Sequence, residues 1–197
     1  MDQQSTFFSS IFLTFITISI FEFVTPSSSA TTETYTNYIK TSCNYTTYPS
    51  VCTTSLLPYA LAIKSTPLRL VKQSLSATLK SASTTRTIIL KLVKAKNITK
   101  GDAAVLKDCI GDIQDSIGEI KDSLKAISSL KSSKDKKFVL SNAQTWTSAA
   151  ITDEYSCTDG LSDEEISPVV MKKIMTSMVS IARLSSNALY FINHLNI

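Results

Sequence analysis

Apolar residues recur at helical spacing along most of the chain. Leu106, Ile110, Ile113, Ile117, Ile120, Leu124 and Ile127 stand alternately four and three apart, so they share one side of a long helix. Asp102, just past Gly101, is placed to cap its start. Upstream, Leu68, Val71, Leu75, Leu79, Ala82, Ile89 and Leu92 form a second stripe, opened by Thr66 and by Pro67 at the first helical position. A third helix is predicted from near Asp135 towards Cys157, with Val139, Ala143, Trp146 and Ala150 inward. A fourth opens at Ser167-Pro168 and turns Val170, Ile174, Met178, Ile181, Leu184, Ala188 and Ile192 to the core. Short connections make successive helices antiparallel, which predicts an all-α fold: an up-down-up-down four-helix bundle over residues 66–197. Residues 31–65, punctuated by Pro49, Pro58 and the adjoining Pro67, read as an N-terminal helical hairpin belonging to the same domain.

The start of the chain has a different texture. Phe7 to Phe21 is almost wholly apolar or hydroxyl-bearing, although no basic side chain precedes it and Glu22 interrupts the apolar stretch. Pro26 and the small residues Ser28-x-Ala30 then mark a cleavage site, so residues 1–30 are expected to be a secretory signal peptide. The apolar run is shorter than the ~20 residues a bilayer span needs, and no membrane association is expected after cleavage. Export makes disulfides the natural state of Cys43, Cys52, Cys109 and Cys157, which allow three connectivities. Cys43 and Cys52 bracket a local turn. Cys109, early in the second bundle helix, meets Cys157 near the end of its antiparallel neighbour, so the expected bridges are 43–52 and 109–157. Asn44-Tyr45-Thr46 and Asn97-Ile98-Thr99 are sequons that export would expose to glycosylation at Asn44 and Asn97.

Composition removes several function classes. Only 4 of 197 residues are glycine, too few for the tight turns of a large α/β enzyme. His194 is the sole histidine and no C-x-x-C occurs, so no metal site and no cofactor are expected. Charge is divided along the chain. From Thr34 to Gly101 there are ten Lys or Arg and no acid, whereas residues 102–197 carry ten bases and thirteen acids. The basic segment suits a polyanion, but no nucleic-acid motif accompanies it and an exported chain rarely meets nucleic acid. Asp108, Asp112, Asp115, Glu119 and Asp122 repeat beside the apolar seam, displaced from it and read as facing away from the core, either to solvate that face or to dock a partner. Gly111 and Gly118, seven apart, would leave a smooth strip beside them.

Several segments resemble the plant invertase and pectin methylesterase inhibitors. Tyr38 to Cys52, with Thr46-Thr47-Tyr48-Pro49 between its cysteines, is similar to the family's opening signature; Asp108-Cys109 resembles its third-cysteine motif. Trp146 to Glu154 with Cys157-x-Asp159-Gly160 resembles its fourth, and Ser186-Asn187-Ala188-Leu189 its closing motif. The resemblance implies a helical hairpin and four-helix bundle with those two disulfides, no catalytic residues, and inhibition by occupying a target's active-site cleft in a one-to-one complex. It leans to pectin methylesterase as partner, because Trp146-x-Ser148-Ala149-Ala150-x-Thr152 is similar to that branch. Expected contacts are Thr147 and Thr152 from the motif and Asp112, Asp115 and Glu119 from the acidic stripe. An invertase inhibitor is the alternative. Its Pro-Lys-Phe insertion matches Lys137 and Phe138, but Lys136 stands where the proline would be. A third reading, of another class, is a non-inhibitory wall protein holding de-esterified pectin through the basic segment. All three place the chain outside the cell, in the apoplast and cell wall.

Overall fold

The computed structural model describes residues 28–96, 98–163 and 167–196. The helices among them are α1 (Ser28–Cys43), α2 (Pro49–Leu56), α3 (Ala60–Ile63), α4 (Pro67–Val93), α5 (Lys100–Ser129), α6 (Lys136–Asp163) and α7 (Pro168–Asn193), with a 3-10 turn at Leu57–Tyr59, and no strand occurs among the described residues. The last four run 26 to 30 residues each, roughly 40 Å at 1.5 Å per residue. They close a ring in which α4 packs on α5, α5 on α6, α6 on α7 and α7 back on α4. This is the expected all-α bundle, with α1 to α3 as the hairpin before it. Residues 1–27 of the predicted signal and the sequon residue Asn97 lie outside the described residues. The predicted cleavage point after Ala30 falls in the first turn of α1.

The α5 seam packs as its spacing requires: Leu106, Ile113, Ile117, Ile120 and Ile127 are buried, and Ile174, Met178, Ile181, Ala188 and Ile192 of α7 face them across the core. Two local expectations are corrected. Asp102 is not the cap of α5. Thr99 is, with its Oγ1 accepting the Asp102 N–H at 3.0 Å, so the helix starts at Lys100. Asp102 is instead buried, and its Oδ1 accepts the Ser167 N–H at 2.9 Å where α7 begins. The inward stripe of α6 keeps the expected Ala143 and Ala150 but takes Thr147 in place of Trp146. It runs Ala143, Thr147, Ala150, Glu154, Cys157 and Leu161, all buried, while Trp146 and Val139 are only half-buried. Small side chains at 143, 147 and 150 let α6 lie close to α5, and an indole pointed inward would hold the two helices apart.

The hairpin is attached by backbone recognition as well as apolar packing. Asn187 of α7 is buried, and its amide accepts the Tyr48 N–H and donates to the Tyr48 carbonyl, each at 3.0 Å. Tyr48 opens α2 from a non-helical conformation, and the bidentate contact holds that turn against the bundle. The Arg183 guanidinium lies 5.4 Å over the Tyr48 ring. Cys43–Cys52 closes the same turn, with Cα atoms 5.5 Å apart. At the exit of α3, Lys64 and Ser65 take φ of 50° and 51°, two consecutive non-glycine residues in the left-handed region. That reversal turns the chain into Pro67 and α4.

Candidate functional site

The acidic stripe does not point straight out from the bundle. A helix in a four-membered ring touches two neighbours, so residues flanking its seam are carried towards one of them. Asp112 and Glu119 are half-buried on the side of α5 that meets α6, while Asp108, Asp115 and Asp122 are exposed. The partner across the groove is Asp153 of α6, which the stripe alone did not reveal. Glu119 and Asp153 bring their carboxyl groups together across that groove, each with one oxygen buried and without a hydrogen-bond partner among the described residues, an arrangement that favours keeping a proton on one of the two. Burial, then the Asp153 charge, pushes Glu119 up to about 7. Burial likewise raises Asp153. Asp112 is raised first by desolvation and then by Asp153, Asp108 and Asp115.

One layer deeper, Glu154 is wholly buried. Its Oε1 accepts from Ser116 Oγ of α5 at 2.9 Å and from Ser185 Oγ of α7 at 2.8 Å, so one carboxyl ties three helices. Its Oε2 has no partner among the described residues. Desolvation outweighs the two serine bonds and lifts the group to about 8, which makes it a neutral acid below that pH. Four after Ala150 and three before Cys157, it occupies the inward register of α6.

Thr147 belongs to this interior too, and its expected role as a contact is corrected. It is fully buried, with Oγ1 2.8 Å from the Ala143 carbonyl oxygen and 3.0 Å from Ser123 Oγ of α5. Thr152, by contrast, is exposed, and its hydroxyl donates only to the Ser148 carbonyl at 3.3 Å. Cys109–Cys157, with Cα atoms 4.7 Å apart, clamps α5 to α6 beside Asp112. The two sulfurs and an Asp112 oxygen lie within 4.8 Å of one another, but both sulfurs are spent in the disulfide and offer no thiolate to an ion. Gly111 and Gly118 have open space where a Cβ would stand. No packing demand inside the protein accounts for them.

Lys137 and Phe138 lie apart from this face, in the first turn of α6. Asp135 Oδ1 accepts the Phe138 N–H at 2.9 Å, and the Phe138 ring is 62% exposed. Asn44 is exposed just after α1, and its neighbour Tyr45 is 70% exposed.

Three features thus coincide: an opening hairpin locked through Tyr48 to Asn187, a disulfide-clamped α5–α6 pair, and an outward surface with no catalytic grouping assigned to it. The family model for plant invertase/pectin methylesterase inhibitor matches residues 37–191. The chain belongs to that family. Among its relatives, pectinesterase inhibitor 11 of Arabidopsis thaliana is 34% identical over 85% of each chain. Pectinesterase inhibitor 4 of the same plant is 35% identical over 92% of each. A crystal structure of a mutant form of a pectin methylesterase inhibitor from Arabidopsis superposes with a TM-score of 0.62 at 18% identity, covering 80% of this chain and 97% of that one. Two of the motifs that carried the resemblance, Thr46-Thr47-Tyr48-Pro49 and Ser186-Asn187-Ala188-Leu189, are the two halves of the Tyr48–Asn187 contact.

Proposed function

We propose that the protein inhibits pectin methylesterase by laying the outer surface of α5 and α6 over the enzyme's substrate cleft in a one-to-one complex. The single observation that carries this reading is the match over nearly the whole described chain to relatives named pectinesterase inhibitors. It is an inhibitor rather than a catalyst. Asp112, Asp115, Glu119 and Thr152 are the proposed contacts, joined by Asp153, and the two glycines leave room for a partner's loop beside them. Thr147 supports that surface from beneath. The protein is proposed to act in the cell wall after export, with Asn44 and Asn97 as glycan acceptors. Two disulfides suit that oxidising compartment, and no helix among the described residues is long and apolar enough to cross a membrane.

The exposed Phe138 favours one second reading, an invertase inhibitor that inserts Lys137 and Phe138. Titrating the oxidised protein against purified pectin methylesterase and invertase separates the two. Stoichiometric loss of esterase activity alone is expected. Loss of invertase activity alone, abolished by Phe138→Ala, would transfer the assignment to the second reading.

A further inference from the structure

The side of the bundle remote from the α5–α6 face carries a groove of a different chemistry. Helices α2, α4 and α7 contain no Asp or Glu, whereas α4 and α7 together present eight Lys or Arg. Between α4 and α7 runs a groove of about 530 Å³, a size typical of small-ligand sites. Eight of its eleven lining residues bear hydroxyls, among them Tyr59, Ser81 and Thr84 on one side and Thr176 and Ser180 on the other, with Lys80 beside them, while carbon makes up most of the surface between. Ser81 and Ser180 make no hydrogen bond to another described residue, and Thr84 and Thr176 donate to backbone carbonyls, which leaves their oxygens free to accept. Thr176 and Ser180 continue into a second depression bounded by Arg183, so a cation stands both within the groove and at its end.

We propose that this groove binds an anionic oligosaccharide, a run of unesterified uronate residues. Hydroxyls both donate and accept, which matches the ring hydroxyls of a sugar, while the separated cations match a polymer carrying one carboxylate per ring. A densely charged phosphate chain asks for a row of basic groups in the groove, and an acidic peptide for backbone partners; neither is provided. In naming pectin as the polymer, the proposal rests on the reading of the protein as a pectin methylesterase inhibitor. The esterase converts neutral methyl esters into carboxylates, so the groove discriminates the enzyme's product from its substrate. The inhibitor is thereby retained where the enzyme has already worked, with its inhibitory face free.

The test is an NMR titration of the oxidised protein with a short oligogalacturonate, its fully methyl-esterified counterpart and a poly-glutamate peptide as probes, with esterase inhibition assayed in parallel. Oligogalacturonate is expected to shift amides of α4 and α7, weakening as salt rises, while the methyl ester shifts none. Lys80→Gln combined with Arg183→Gln should weaken the binding about tenfold and leave inhibition unchanged. Ser180→Leu, which blocks the groove without touching a charge, should do the same. Equal response to poly-glutamate, equal response to the methyl ester, shifts confined to α5 and α6, or no effect of either variant would each overturn the proposal. Absence of inhibition alongside uronate binding would overturn the inhibitor reading and leave the groove assignment standing.

Discussion

The two long sides of the bundle handle charge in opposite ways. Helices α5 and α6 carry ten carboxylates against six lysines, and Asp112, Glu119 and Asp153 are drawn into the seam between them, where burial and mutual repulsion raise their hold on protons. On the α4–α7 side the charges are all of one sign, and Lys80, Lys91, Lys172, Lys173 and Arg183 stand exposed along the helices. The same four-helix geometry therefore yields one surface whose charge is set by pH and one whose charge is fixed. That difference teaches that a count of acids and bases misstates what a partner meets: near pH 6 the acidic side is less negative than its composition.

The sharpest way to break this contrast is to titrate Glu154. Its folded value of about 8 lies above the unfolded 4.5, so the folded protein holds the proton longer. Its neutral form is at no disadvantage below about pH 4.5; stability falls as pH rises from there through about 8, by about 5 kcal/mol if the whole difference is realised. Urea melts at pH 5 and pH 8.5 should show the fall, and Glu154→Gln should flatten most of it by keeping the group neutral. A wild-type midpoint that does not move with pH would remove Glu154 as the source. Next in size is Cys109→Ala with Cys157→Ala, which opens a loop of 48 residues and should cost about 4 kcal/mol in the same melt. The loss should be felt on the α5–α6 side, so esterase inhibition should fall more than uronate binding does.

Replacing Asp112, Asp115 and Glu119 with Asn or Gln addresses the acidic surface directly. Inhibition should weaken about tenfold with helicity unchanged, as expected for losing partly screened charge pairs at an interface. Unaltered inhibition would leave the stripe as a solvated face. Asn187→Ala should cost about 1–3 kcal/mol by stranding both backbone groups of Tyr48, and hydrogen exchange at the Tyr48 amide should quicken. The smallest effect is Gly118→Ala. With open space for the new methyl it should stabilise α5 by about 1 kcal/mol, and any accompanying loss of inhibition would locate the partner's closest approach.

How much of this was legible in the sequence varied with how apolar each stripe was. Helices α5 and α7 advertise their buried sides with Ile, Leu and Met, and the 109–157 pairing followed once α5 and α6 were set antiparallel. Helix α6 does not. Its buried register includes Thr147 and Glu154, which a hydrophobic pattern scores as surface, and the eye moves to Trp146 instead. The Ser116 and Ser185 hydroxyls that make Glu154 tolerable lie 38 and 31 residues away, beyond any local pattern. Asp102 misled in a similar way, because a carboxylate beside a glycine looks like a local cap while its true partner begins another helix. The acidic stripe was visible, but its tilt towards Asp153 depends on which neighbour α5 meets.

Asp102 sets the opposite boundary to Glu154. The Ser167 N–H, foremost, and Thr99 hold its carboxyl below the usual range, so two parallel helices begin on one shared anion. This stabilising effect is present at mild acidity and disappears only as pH drops through that lowered value. Between the two carboxyls lies a sour operating range, in which one stays ionised under conditions that keep the other neutral, so two buried residues divide the labour of holding the helix starts and the core.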